Sequence, residues 1–255
     1  MILVRLILKK IFIMKILKYL AFSALVAFSL TSCDKDTEGV TDILYYPVIS
    51  LDGGRVLLTV GDTYTEPGYS AALGTEDLTD KVEVSNNIDT SAPGFYTVTY
   101  KVTDSDGNSA VEKREVWVNN PGHFDNIYWA ECWHKTNKAR HYYNSPESIQ
   151  DLGDGYYLLS DCLAGYYAYG VYPQYRNTYD FEAEALLMLD GPNVIMLEEG
   201  DWYFYDGTDP EVMYDGNYDE ETGIITYRLN YYCGGGVIMT PITADNIDGL
   251  PIPEE

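Results

Sequence analysis

Trp129 and Trp133 stand four residues apart in a strand-like run, a spacing that puts both rings on one face of an extended chain. Tyr166, Tyr167, Tyr169, Tyr172 and Tyr175 crowd a loop around Gly165, Gly170 and Pro173, and Trp202, Tyr203 and Tyr205 form a third group. Flat rings beside Asn, Asp and Gln are suited to sugar recognition, because ring faces meet the C–H faces of a pyranose while amides and carboxylates meet its hydroxyls. The candidate ligand-binding residues are therefore Trp129, Trp133, Tyr166, Tyr167, Tyr172, Tyr175 and Trp202. The competing reading makes the same rings the core and rim of a β-domain.

Other chemistries find less support. A glycosidase needs two carboxylates facing each other across a cleft, and Glu131, Asp161, Glu182, Glu184, Glu198 and Glu199 offer many candidates with no spacing that selects a pair. Asp104-Ser105-Asp106-Gly107 opens like a calcium loop, but Ala110 and Glu112 break the ligand spacing before Glu115, and a hairpin turn fits better. Cys132, His134 and His141 lack a regular metal-ligand pattern, and no nucleophile-elbow, phosphate-loop or zinc-protease motif occurs. The expectation is a protein without catalytic residues, metal or cofactor. An exported chain also permits a disulfide, and Cys132, Cys162 and Cys233 leave its pairing open.

The elements that must carry these residues begin with an unusual N-terminus. Lys15 and Lys18 precede an apolar run over residues 19–30, shorter than the roughly 20 residues a membrane span needs, and Leu30-Thr31-Ser32-Cys33 follows. This arrangement resembles the lipobox of bacterial lipoproteins. The resemblance implies that residues 1–32 are a cleaved signal peptide and that Cys33 becomes the lipidated N-terminus of the mature chain, anchored in a membrane. More than one acyl chain, at about 0.8 kcal/mol per buried methylene, makes a lasting anchor. Replacing Cys33 by Ser is expected to move the protein from the membrane to the soluble fraction on cell fractionation; a cleaved variant that stayed with the membrane would exclude that anchor. Residues 33–43 read as an acidic tether, and the run after Cys33 resembles the surface-export signal of Bacteroidetes lipoproteins.

Five of the 16 Lys and Arg precede Cys33, and the 11 that remain face 40 Asp and Glu, a net charge of −29. A field of that sign repels phosphate backbones, which excludes nucleic acid as a partner. Tyrosine is the outlier in composition, with 25 Tyr against 7 Phe and 4 Trp, as suits half-buried strands and wet surfaces.

Residues 44–119 hold short β-branched runs punctuated by Gly53-Gly54, Glu66-Pro67-Gly68 and Ala92-Pro93-Gly94, and residues 95–102 alternate with period two. Val60-Gly61-Asp62-Thr63-Tyr64, Pro67-Gly68-Tyr69, Asp77-Leu78-Thr79, Pro93-Gly94-Phe95-Tyr96-Thr97 and Asp104-Ser105-Asp106-Gly107-Asn108 resemble a bacterial immunoglobulin-like family also found in pesticidal crystal proteins. The resemblance implies a β-sandwich that serves as a spacer. Asn119-Asn120-Pro121-Gly122 marks a boundary, and residues 123–243 read as a second antiparallel β-barrel or β-sandwich with Asp-Gly turns between strands. One short helix is expected at Ser145-Pro146, with Ser145 as cap, and residues 244–255 are expected to form a loose tail. Ser160-Asp161-Cys162-Leu163-Ala164-Gly165-Tyr166-Tyr167 and Gly216-Asn217-Tyr218-Asp219 resemble C-terminal domains of Bacteroidetes lipoproteins of uncharacterised function.

The all-β chain is thus expected at the outer membrane, facing the cell surface on a lipid anchor and binding polysaccharide without catalysis. The alternative is a structural or protein-interaction subunit of an outer-membrane uptake complex.

Overall fold

The computed structural model describes residues 45–137, 139–201, 213–230 and 235–252; Cys33, the leader, the tether, Trp202 and Cys233 lie outside them. In the first part of the chain, runs bounded by Gly and Pro make β1 (Val48–Leu51), β2 (Val56–Thr59), β3 (Tyr69–Leu73), β4 (Glu76–Asp77), β5 (Glu83–Asn86), β6 (Gly94–Thr103) and β7 (Ser109–Asn119). They form two sheets, β1–β3–β4 and β2–β7–β6–β5, with β2 running parallel to β7. In β6, Val98, Tyr100 and Val102 are buried between the sheets and alternate with Thr97, Thr99 and Lys101, the period that residues 95–102 predict. Asp104 closes the β6–β7 hairpin by accepting hydrogen bonds from Asp106 N, Asn108 N and Asn108 Nδ2, so the calcium-like motif is a turn held by its own carboxylate. The immunoglobulin-like sandwich is what the residues led one to expect.

The second part forms β8 (Ile127–Trp133), β9 (His141–Gly153), β10 (Tyr156–Leu159), β11 (Ala185–Asp190), β12 (Asn193–Glu199), β13 (Met213–Tyr218), β14 (Ile225–Leu229) and β15 (Gly236–Pro241). Among the described residues these eight strands close an antiparallel barrel, with β15 returning to pair with β8 at Val237–Cys132 and Met239–Ala130. The barrel interior is packed with Tyr128, Ala130, Ile149, Leu187, Ile225 and Leu229, among others.

Two expectations fail here. Ser145 and Pro146 belong to β9 rather than to a helix: Ser145 and Glu147 face the barrel interior, and Pro146 lies opposite Trp129. The capping signature is local, and pairing across the barrel overrides it. Proline fits beside a bulge, where the β8–β9 register shifts and Asn144 adopts a positive φ of 59°.

Nor is the tail loose over its described part. Asn246 O accepts from Trp129 Nε1 at 2.7 Å, Ile247 O accepts from Arg55 Nη1 at 2.8 Å, and Asn144 exchanges hydrogen bonds with Leu250 N and O. Ile247 and Leu250 pack on Trp117, Ile127, Trp129 and Ile242, the cluster that joins the sandwich to the barrel. The strands of the sandwich end at Asn119 and those of the barrel start at Ile127. The buried Asn119 spans the joint by donating from Nδ2 to Ile242 O at 3.0 Å.

The two barrel ends differ. The end beside the sandwich carries the short connections β9–β10 and β11–β12, with Asp154, Gly155 and Gly191 at positive φ. The far end carries the β8–β9 hairpin loop and the long connection between β10 and β11, and loops of that kind on a rigid frame are where binding residues gather.

Candidate functional site

At the far end the long connection folds into the barrel mouth. Asp161, fully buried, accepts backbone hydrogen bonds from Leu163, Gly165 and Ala183, which fixes the start of the connection. A π-helical segment (Tyr166–Val171) follows and seats Tyr166, Tyr167 and Ala168 in the core. From there a series of rings leads outward. Tyr167 stacks on Tyr172 at 6.1 Å and Tyr172 on Phe181 at 5.5 Å; Tyr179 lies 5.9 Å from Phe181 and 6.2 Å from Tyr175. Tyr175 and Tyr179 are exposed.

The structure therefore divides the candidate residues. Trp129 is 6% exposed, T-stacked on Trp117 at 5.3 Å, and belongs to the joint between the domains. Tyr166 is fully buried and Tyr167 is 7% exposed, because a barrel of eight strands is wide enough to take side chains as a plug. These three are corrections to the sugar-platform expectation: their faces are covered by protein. Trp133, Tyr172 and Tyr175 keep accessible surface, and Trp202 lies outside the described residues.

Trp133 does share the outer face of β8 with Trp129, as their spacing predicts, but it sits at the opposite end of the strand. Its indole lies over Gly235 and Gly236, where a Cβ would collide with the ring. Beside it, His141 approaches with its ring centroid 5.7 Å away, and Tyr143 lies against His141 at 4.1 Å with the planes 30° apart. The imidazole is held at both nitrogens. Nε2 donates to Glu131 Oε1 at 2.6 Å, and Nδ1 pairs with the Tyr143 hydroxyl at 2.8 Å. Both Glu131 and His141 keep about a quarter to a third of their side-chain surface (26% and 33%), so the group is a fixed, half-exposed shelf of Trp133, His141 and Tyr143. Such a shelf can stack on an apolar sugar face and offer the carboxylate and phenol to hydroxyls.

Tyr143, Gly235 and Gly236 were not among the expected site residues. The signals were a Gly-Gly-Gly run at 234–236 and a His-Tyr-Tyr sequence at 141–143, neither of which says what it packs against.

Glu131 is bound to His141. Inside the barrel, Glu147 accepts from Ser145 Oγ at 3.1 Å and is bonded to Ser160 Oγ at 2.5 Å. Burial, with Asp161 and Glu182 near by, holds the Glu147 carboxyl well above the usual carboxylate range. Burial also pushes Asp161 up to about 7, against the pull of its three amide donors. No group of three or more His, Cys, Asp or Glu among the described residues is arranged to hold a metal ion.

Comparison with known proteins gives two family matches. A model described as bacterial surface protein, Ig-like domain, covers residues 49–118, and one described only as a C-terminal domain covers residues 85–240. No curated protein matches the chain. Among solved structures, the lipoprotein BT2262 from Bacteroides thetaiotaomicron is 23% identical over 76% of this chain and 100% of its own, with a TM-score of 0.52. The CBM51-2 and INT domains of ZmpB from Clostridium perfringens, solved with GlcNAc, are 14% identical over 78% of this chain and 44% of theirs, with a TM-score of 0.25. No helix among the described residues is long and apolar enough to cross a membrane.

Proposed function

Because the chain belongs to the family of that C-terminal domain, with an immunoglobulin-like domain of bacterial surface proteins ahead of it, we propose that it captures polysaccharide at the cell surface without cleaving it. In this reading Cys33 carries the lipid that holds it to the outer membrane, the sandwich acts as spacer, and the far barrel end meets the glycan. The observation that carries the reading is Trp133, laid over Gly235 and Gly236 and braced by His141 and Tyr143. A ring backed by two glycines and fixed at its edge needs little ordering when a sugar stacks on it, and that keeps the entropic cost of binding low. Tyr172, Tyr175 and Tyr179, on the long connection at the same barrel end, are further contacts for a polymer.

Aromatic contacts contribute about 0.5–1.5 kcal/mol each, so one chain segment binds weakly and retention comes from repeated capture along the polymer. Affinity-gel retardation against a panel of plant, fungal and host polysaccharides tests this. Trp133→Ala and Tyr143→Ala are each expected to weaken retention about three- to tenfold, in line with that contact energy, while melting stays near that of the parent. Retention of no glycan by the parent chain, or equal retention by both variants, would overturn the reading. Release of smaller sugars from a retained glycan would make the protein a hydrolase instead.

A further inference from the structure

We infer that the glycan taken by this surface is anionic, its carboxylate or sulfate groups meeting Lys135 and Arg140 at the tip of the β8–β9 hairpin; the inference rests on the polysaccharide reading. Charge along the chain is the first observation. In a mature protein of net charge −29, residues 132–146 contain no Asp or Glu, yet they hold three of its 11 Lys and Arg and two of its three His. Longer acid-free runs occur at 162–179 and 222–244, but each holds a single Arg; the density of cations sets 132–146 apart, and it coincides with the aromatic shelf.

Geometry is the second. β8 ends at Trp133 and β9 begins at His141, so the hairpin loop projects directly from the two strand ends that carry the shelf rings. The described residues of the loop are held by bonds among themselves. His134 Nδ1 accepts from Thr136 N at 3.2 Å and Asn137 N at 3.0 Å, His134 N donates to Arg140 O, and Arg140 N donates to Asn137 O. Lys135 and Arg140 are exposed, and Arg140 Nη1 donates to Tyr166 Oη at 3.4 Å, which ties the guanidinium to the plugged barrel mouth. Glu131, the carboxylate of the shelf, is taken up by His141 rather than by either cation.

The whole-molecule field opposes an anionic polymer, so binding one requires cations fixed at the contact. A neutral polysaccharide would need none. Exposed cations on the loop that joins the two shelf strands match a uronic-acid or sulfated sugar, whose ring stacks while its charged group reaches toward the loop.

Two matched polymer pairs test the inference with the full chain in detergent: polygalacturonate against its carboxyl-reduced form, and dextran sulfate against dextran. At low salt, retention is expected at least tenfold stronger for the charged member of one pair, and the pair that responds tells carboxylate from sulfate. The double variant Lys135→Glu/Arg140→Glu is expected to lose that difference with melting unchanged. Lys101→Glu/Lys113→Glu, the same charge change on exposed positions of the sandwich, is expected to keep it. Retention of neither charged polymer, equal retention of charged and neutral members, or a hairpin double variant that binds like the parent would each overturn the inference. Trp133-dependent retention of a neutral glycan would do so while leaving the polysaccharide reading standing.

Discussion

Trp129→Ala is expected to destabilise the protein by about 3–5 kcal/mol, the cost of emptying a well-packed aromatic site, and to leave glycan retention unchanged at temperatures where the chain stays folded. The indole is T-stacked on Trp117, which is itself edge-on to Phe95 at 5.0 Å and lies 3.6 Å below the Arg55 guanidinium. Its Nε1 donates to Asn246 O, so truncation also leaves that carbonyl unpaired and removes one of the bonds that hold the C-terminal turn. Urea unfolding would measure the loss. Pro121 and Gly122 are exposed between the last sandwich strand and the first barrel strand, and limited proteolysis there should become faster in the variant and yield two resistant fragments. A variant of near-parental stability that no longer holds glycan would show that Trp129 is a ligand contact after all.

The second large effect concerns acidity. Glu147 and Asp161 are buried in the barrel with their carboxyls shifted upward, mainly by loss of water. Between the unfolded pKa and the raised folded one, the native chain holds a proton that the unfolded chain has lost. Stability is then greatest on the acid side and falls as pH rises. Asp161, moved from 3.8 to about 7, sets the window, and at about 1.4 kcal/mol per unit the loss between pH 4 and pH 8 is on the order of 4 kcal/mol. Glu147 adds to it. Glu147→Gln keeps a partner for the Ser145 and Ser160 hydroxyls, carries no proton to lose and removes the like charge beside Asp161. The variant is expected to be more stable than the parent at pH 8, by about 1–3 kcal/mol, the usual cost of a buried polar group cut off from water, and little different at pH 5. Denaturation midpoints at the two pH values decide it; a parent whose stability rose from pH 5 to pH 8, with no gain from the variant, would refute this.

What the residues alone reveal depends on whether the deciding contacts are local. The strand at residues 95–102 and the turn at Asp104 were readable because alternation and a self-bonding Asp are properties of a few neighbours. The shared face of Trp129 and Trp133 was readable for the same reason. What covers each ring was not: Trp129 meets Trp117 and the returning tail, and Trp133 meets Gly235 and Gly236, a hundred residues away. Burial of a face is set by the element that docks on it. Ser145-Pro146 carried a sound helix start that lost to strand pairing. The tail looked loose by its Pro and Glu content, yet Asn246, Ile247 and Leu250 hold its described part. At Tyr166 and Tyr167, crowding in a loop signalled exposure, whereas the barrel mouth needed filling.

The seam between β15 and β8 has a consequence for how the chain is made. It joins Val237 to Cys132, so the barrel cannot close until β15 has emerged, about a hundred residues after β8, and closing so long a loop is entropically slow. The β6–β7 hairpin, by contrast, pairs near neighbours from Gly94 to Asn119 and can form while the barrel sequence is still being delivered. As the chain emerges from its N-terminal side, the sandwich is then ready first, presenting Trp117 as a surface on which β8 can settle and wait for its last partner.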